Sequence, residues 1–174
     1  MRQVIALVFL SLLLGACGAR SPGNKVDDQV IHPSVNRAIR DAHPDLKRPT
    51  SHTVVTSYNG VILIAGETPR EDLKQMATRA AKGVKGVKVV HNELRVTAPT
   101  PASIRANDTL LTAKVKARLT AEADVPSTKV KVVTVNGTVY LLGIVTRTEA
   151  DNITRAVRQV GGVQKIVRLF EYIN

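Results

Sequence analysis

Few side chains in this sequence could do covalent or metal chemistry. Among 174 residues there are one cysteine, four histidines and no tryptophan. His32, His43, His52 and His91 are scattered along the chain. They show neither the HExxH spacing that puts two imidazoles on one helix face nor a cysteine–histidine set. No GxSxG nucleophile elbow occurs. The pairs Asn59-Gly60, Asn136-Gly137 and Gly161-Gly162 lack the GxxxxGK(S/T) and GxGxxG patterns of phosphate-binding loops and read as turns. The sequence nominates no catalytic residue, no metal ligand and no cofactor, and a non-enzymatic protein is expected. Two chemistries remain. One is the thiol of Cys17; the other is a group of cations around Leu110 that suits an anionic surface.

Cys17 closes an apolar run. Residues 1–16, MRQVIALVFLSLLLGA, hold one cation, Arg2, then an apolar stretch broken only by Ser11. That stretch is shorter than the roughly 20 residues of a membrane-spanning helix and has the layout of a secretory signal peptide. Leu14-Gly15-Ala16-Cys17 resembles the bacterial lipobox, in which the thiol takes up diacylglycerol and the cysteine becomes the first mature residue. A lone cysteine can form no intramolecular disulfide in an oxidising compartment, so lipidation accounts for it. Gly18 follows it where an aspartate would favour the inner membrane, which by resemblance to bacterial sorting rules points to the outer membrane. Residues 17–27 are read as the lipidated cysteine and a tether too small and polar to fold. Ten extended residues reach at most about 35 Å, so the rest of the chain stays near the bilayer.

The cations lie on an element that periodicity defines. From Asp108 to about Ala121, Leu111, Val115 and Leu119 recur every four residues and give one inward stripe, with Asp108 or Asn107 as the cap. Leu110 then projects to the side near Lys114 and Ala117, while Lys114, Lys116 and Arg118 spread charge around the outer half. An exposed leucine beside cations is how a helix meets an anionic interface.

That helix opens the second of two repeats. TSYNGVILIAGE (Thr56 to Glu67) matches TVNGTVYLLGIV (Thr134 to Val145), with the Asn-Gly pairs and Gly66 and Gly143 at one offset. Thr78-Arg79-Ala80 and Gly86-Val87 match Thr154-Arg155-Ala156 and Gly162-Val163 after a one-residue slip. A repeat of this length is a small domain. Each copy reads helix, strand, strand, helix, strand, with the Asn-Gly pairs as type I′ hairpins and Gly161-Gly162 ending a helix. The expected fold is α+β: two αββαβ domains, each a three-stranded mixed sheet packed on two helices, with a right-handed crossover. The expected boundaries are a first domain at 28–97, a linker at 98–107 carrying Pro99 and Pro101, and a second domain at 108–174. In the strand Thr138–Val145 both alternating sets are apolar, so both faces should be partly covered.

The element order, the Asn-Gly hairpin, the glycine ending the second strand and the Gly-Val entering the third resemble the BON domain. Two copies behind a lipobox are similar to the dual BON-domain outer-membrane lipoproteins of the DolP (YraP) family, as are Val26-Asp27-Asp28, Asn107-Asp108-Thr109 and Val130 to Thr146. The resemblance implies a lipid-anchored protein on the periplasmic face of the outer membrane that binds anionic phospholipid (phosphatidylglycerol, cardiolipin). It also implies support of envelope integrity and stress tolerance, often at division sites. It places lipid contact at Leu110, Lys114, Lys116, Ala117, Arg118 and Thr120. The family's best-studied member has a tryptophan anchor where this chain has Leu110, and a leucine where it has Thr120. The alternative is an adaptor for outer-membrane assembly or peptidoglycan remodelling machinery.

Charge fits an anionic partner. The formal net charge is +11, and both repeats share it: residues 28–97 carry 11 Lys/Arg against 7 Asp/Glu, and residues 104–174 carry 11 against 6. Such a balance suits nucleic acid, an anionic membrane or a glycan. Export, and an aromatic content of 3% that leaves no base-stacking platform, argue against nucleic acid.

Overall fold

The structure, a computed structural model, describes the backbone of residues 22–174 and side chains from residue 28 onward. The signal peptide at 1–16 and the lipidation site Cys17 lie outside the described residues.

The order is α1 (Pro22–Ala42), β1 (His52–Tyr58), β2 (Val61–Thr68), α2 (Glu71–Lys82), β3 (Val89–Val96), then α3 (Ala102–Ala121), β4 (Val130–Val135), β5 (Thr138–Val145), α4 (Arg147–Arg158) and β6 (Lys165–Tyr172). Single 3₁₀ turns precede β1 and β4. Each half is a three-stranded mixed sheet, β1-β2-β3 or β4-β5-β6. The hairpin pair is antiparallel and the crossover pair parallel.

The central strands divide their side chains between two cores. Ile62 and Ile64 of β2 pack with Val35, Ile39, Leu73 and Ala77 of the helices. Val139, Leu141 and Val145 of β5 do the same with Leu111, Val115, Leu119, Ile153 and Val157. The alternate residues, Leu63 and Ala65 of β2 and Tyr140 and Leu142 of β5, form a third cluster with Tyr58 and Val135. The two sheets therefore pack face to face, with the helices outside. The double-sided alternation in β5 has its cause here: one face covers a helix pair, the other a neighbouring domain.

Polar contacts at this interface are reciprocal. Asn59, at one hairpin tip, donates to Glu171 near the end of β6 at 2.8 Å. With its amide oxygen turned toward Arg95 on β3, Asn136 at the other tip accepts two guanidinium N–H bonds at 2.5 and 2.7 Å. Tyr58 Oη donates to the Lys129 carbonyl at 2.7 Å, and Lys131 Nζ to the Ser57 carbonyl at 3.1 Å. Each hairpin thus meets the far end of the other sheet. Burial in this contact pushes the Tyr140 hydroxyl up to about 12, with Glu93 adding to the effect.

Four sequence expectations need correction. The tether 17–27 was read as unfolded, but α1 begins at Pro22; proline suits a first helical turn because its φ is preset and its missing N–H has no partner there anyway. The linker 98–107 likewise yields its last six residues to α3, which starts at Ala102, directly after Pro101. Asp108 and Asn107 therefore lie inside that helix and cap nothing. Gly161 does not terminate α4 either: the helix ends at Arg158 with Gln159 as its cap, and it is Gly162 that takes the left-handed conformation, at φ +100°.

Candidate functional site

Helix α3 is held by three kinds of contact. Leu111, Val115 and Leu119 are all buried in the second core, as the four-residue spacing requires. Thr112 Oγ1 donates to Thr134 Oγ1 on β4 at 2.8 Å. Asp108 aims its carboxylate at the hairpin, accepting from Asn136 N at 2.7 Å and Gly137 N at 2.9 Å. Both hairpin residues have positive φ, 47° and 69°, which turns their N–H groups to one side, where an anion satisfies both. Asp28 of α1 does the same at the other hairpin, accepting from Asn59 N (2.8 Å), Gly60 N (3.2 Å) and Ser57 Oγ (2.5 Å). These two aspartates bolt each first helix to its own turn. The sequence carried the signal in Val26-Asp27-Asp28 and Asn107-Asp108-Thr109, but a mid-helix aspartate reads as a cap until the hairpin is folded against it.

The outer side of α3 is then set by geometry. At 100° per residue, Ala106, Leu110, Ala113 and Ala117 fall opposite the buried stripe, and all four are exposed, Leu110 at 62%. Lys114 and Lys116 flank this apolar strip, both exposed, and no carboxylate among the described residues pairs with either. Arg118 differs: its guanidinium bonds Glu122, which caps the C-terminus of α3, and Gln159 beyond α4, so its charge is already partnered. Thr120 is exposed and its hydroxyl donates back to the Lys116 carbonyl at 3.0 Å. The structure therefore brings Leu110, Lys114, Lys116 and Ala117 onto one free face and removes Arg118 from it. Such a helix offers apolar insertion and two cations, and no group for covalent chemistry.

Three of the four histidines serve the fold. His32 Nε2 lies 3.0 Å from the Val55 carbonyl, His43 Nδ1 accepts from Asp45 N at 3.1 Å, and His52 Nδ1 sits 3.3 Å from Glu67. Glu67 itself, which the sequence reading did not single out, is fully buried and binds Arg95 at 3.1 Å and Thr100 of the linker. Among the described residues no group of three or more His, Cys, Asp or Glu side chains is placed to hold a metal ion. No described helix is long and apolar enough to cross a membrane.

A family model described as the BON domain matches residues 27–98 and again 107–174. The chain is 34% identical over 160 residues to the outer membrane lipoprotein DolP of Haemophilus influenzae, spanning 91% of this chain and 81% of that one. It is also 34% identical over 155 residues to a 21 kDa hemolysin of Actinobacillus pleuropneumoniae, spanning 88% and 78% of the two chains. With the osmotically-inducible protein Y of Escherichia coli it shares 34% identity over 147 residues, 83% of this chain and 72% of that one.

Proposed function

The chain belongs to the BON-domain family, the family of DolP, and from that premise we propose that it is an outer-membrane lipoprotein that docks on anionic phospholipid through α3. Cys17 carries the acyl anchor and the domains stand on the periplasmic face. The role is non-catalytic, and binding phosphatidylglycerol or cardiolipin supports the integrity and stress tolerance of the envelope.

One observation carries this reading: the solvent side of α3 is an apolar strip, Ala106, Leu110, Ala113 and Ala117, between two cations that no described carboxylate neutralises. Burying Leu110 contributes roughly 1.5–3 kcal/mol, and each lysine about 1 kcal/mol near an anionic surface. That is weak for a free protein. A lipid tether raises the local concentration of bilayer and makes weak contact sufficient.

Vesicle flotation of the chain carrying Cys17→Ser tests it. Binding should require phosphatidylglycerol or cardiolipin and weaken as salt shortens the screening length to about 8 Å and below. Equal binding to phosphatidylcholine vesicles contradicts recognition of anionic lipid; binding to neither contradicts the lipid role and leaves the charge to a protein partner. In cells, the same substitution should release the protein from the outer-membrane fraction.

A further inference from the structure

Lys116 does not face open solvent alone. It lines a cavity of about 650 Å³ between the domains, together with Arg48 and His52 of the first domain and Arg105, Thr112 and Thr134 of the second. Arg48, Arg105 and Lys116 have no carboxylate partner among the described residues; Arg105 bonds only the Thr100 carbonyl. Asp108 is the one carboxylate in the lining, and the two hairpin N–H groups occupy its oxygens. Three cations around one concavity repel each other, and low-dielectric walls strengthen the field they make. Some exposed cations elsewhere are paired, Arg70 with Asp45 and Asp72, Arg118 with Glu122, Arg168 with Asp151, and others such as Arg37 and Lys114 stand apart; the cleft differs in gathering three unpaired ones around one concavity. Donors are also present. Thr112 and Thr134 share one hydrogen bond between two hydroxyls, which leaves one proton for an incoming oxygen. Thr134 is itself nine-tenths buried.

We infer that this interdomain cleft is the headgroup site for an anionic phospholipid, with its phosphate held by cations from both domains. The inference rests on the reading of α3 as the membrane face and adds the residues that recognise charge there. A lipid, rather than a free phosphate, is the occupant because of what adjoins the cleft. Ala113 lines it and also belongs to the exposed strip with Leu110 and Ala117, so a headgroup in the cleft places its acyl side along apolar surface. Val54 and Val132 in the lining add apolar wall beside the charge. Arg48 lies in the first domain, more than fifty residues before α3, so the site exists only while the sheets stay packed.

The test uses the Cys17→Ser chain and vesicles of phosphatidylethanolamine with or without phosphatidylglycerol. Arg48→Glu should weaken binding to the phosphatidylglycerol vesicles by roughly tenfold or more without lowering the melting temperature, and Arg48→Lys should retain most of it. Arg37→Glu, the same charge change on the exposed side of α1, is the control and should cost less than about threefold. Equal losses for Arg48→Glu and Arg37→Glu would mean diffuse charge alone and overturn the cleft. Leu110→Asp separates the two readings. If it abolishes binding while Arg48→Glu matches its control, the cleft falls and the α3 face stands; if it changes nothing, the α3 reading falls as well. Glycerol phosphate that bound the chain as tightly as the vesicles do would make the occupant a soluble phosphate and overturn the lipid assignment.

Discussion

Helices α1 and α3 hold the same place in their domains and bury the same positions: Ile31, Val35 and Ile39 in one, Leu111, Val115 and Leu119 in the other. Each projects one aliphatic residue outward to the same degree, Val30 at 63% and Leu110 at 62%. Beyond that they part. Where α3 has Ala113 and Ala117 on its outer strip, α1 has Pro33 and Arg37; where α3 has Lys114 and Lys116, α1 has Ser34 and Asn36. In α1 a charge interrupts the outer strip and no lysine flanks it. In α3 the strip continues and cations edge it. The buried half of the first helix is thus shared by the two copies, while its solvent half is where they differ. On the proposed function, exposure alone does not mark a membrane face; exposure beside a continuous apolar strip and unpartnered cations is the proposed mark.

The comparison is most severely broken by separating the domains. Leu142 is fully buried in the cluster between the sheets and absent from both helix–sheet cores. Leu142→Asp should therefore cost about 4 kcal/mol or more, and calorimetry should show one transition for the parent and two for the variant. A single, unshifted melt would mean that the sheet contact contributes little.

Next come the two bolts. Alanine at either aspartate orphans hairpin N–H groups, at a cost of about 2–4 kcal/mol each. Asp28 accepts from three donors where Asp108 accepts from two, so Asp28→Ala should lower stability more than Asp108→Ala in urea unfolding. The reverse order would mean that the second hairpin depends more on its helix.

The Tyr140 hydroxyl sharpens the interface claim. Its folded value of about 12 lies above the ordinary 10 because burial disfavours the phenolate. The fold therefore binds the proton more tightly than the unfolded chain. The associated stability, about 2 kcal/mol, is intact below pH 10 and is lost as pH rises from 10 to 12. In an ultraviolet titration, Tyr140→Phe should remove the highest of the tyrosine steps. Removal of a step near pH 10 would place Tyr140 in solvent.

The smallest contrast is at the crossover helices. Helix α4 opens with a capping box in which Thr146 accepts from Glu149 N at 3.2 Å and Glu149 from Thr146 N at 2.7 Å. Lys129 beside Glu149, with the Thr146 N–H, holds that carboxyl below the usual range. Helix α2 has Arg70 at the same place and no side-chain cap. In urea unfolding Thr146→Ala should cost about 1 kcal/mol, and Arg70→Ala should cost less; an equal or larger loss at Arg70 would mean that the cap is not what distinguishes the two helices.

Much of this was legible because it is local. Four-residue spacing set the buried side of α3, the Asn-Gly pairs set the hairpins, and Thr138–Val145 was read with the bounds it has. Gly66 and Gly143 align because a Cβ there would sit 1.8 Å from the His52 carbonyl oxygen in one copy and 2.7 Å from that of Lys129 in the other. The helix starts were missed because the first turns of α1 and α3 lie ahead of the buried stripe and bear no apolar period. The Asp28 and Asp108 bolts and the placing of Arg48 and Lys116 around one cleft join elements remote in sequence, and periodicity carries no information about them. Arg118 and Glu122 stand at the four-residue spacing that favours pairing, but that Arg118 also reaches Gln159 depends on the fold. The exposure of Leu110 beside Ala117 is legible in the spacing; that Ala106 lengthens the strip by a turn required the helix to begin at Ala102.

The central claim is that α3, and not α1, meets the membrane. Flotation of the Cys17→Ser chain with Leu110→Asp or Val30→Asp, at one salt concentration and with a thermal melt for each variant, compares the two equivalent positions directly. Leu110→Asp should lower binding to phosphatidylglycerol vesicles by about tenfold or more, the loss of one buried leucine. Val30→Asp should change it by less than about twofold, and both variants should melt within a few degrees of the parent. Equal losses at the two positions, or a larger loss at Val30, would contradict the account.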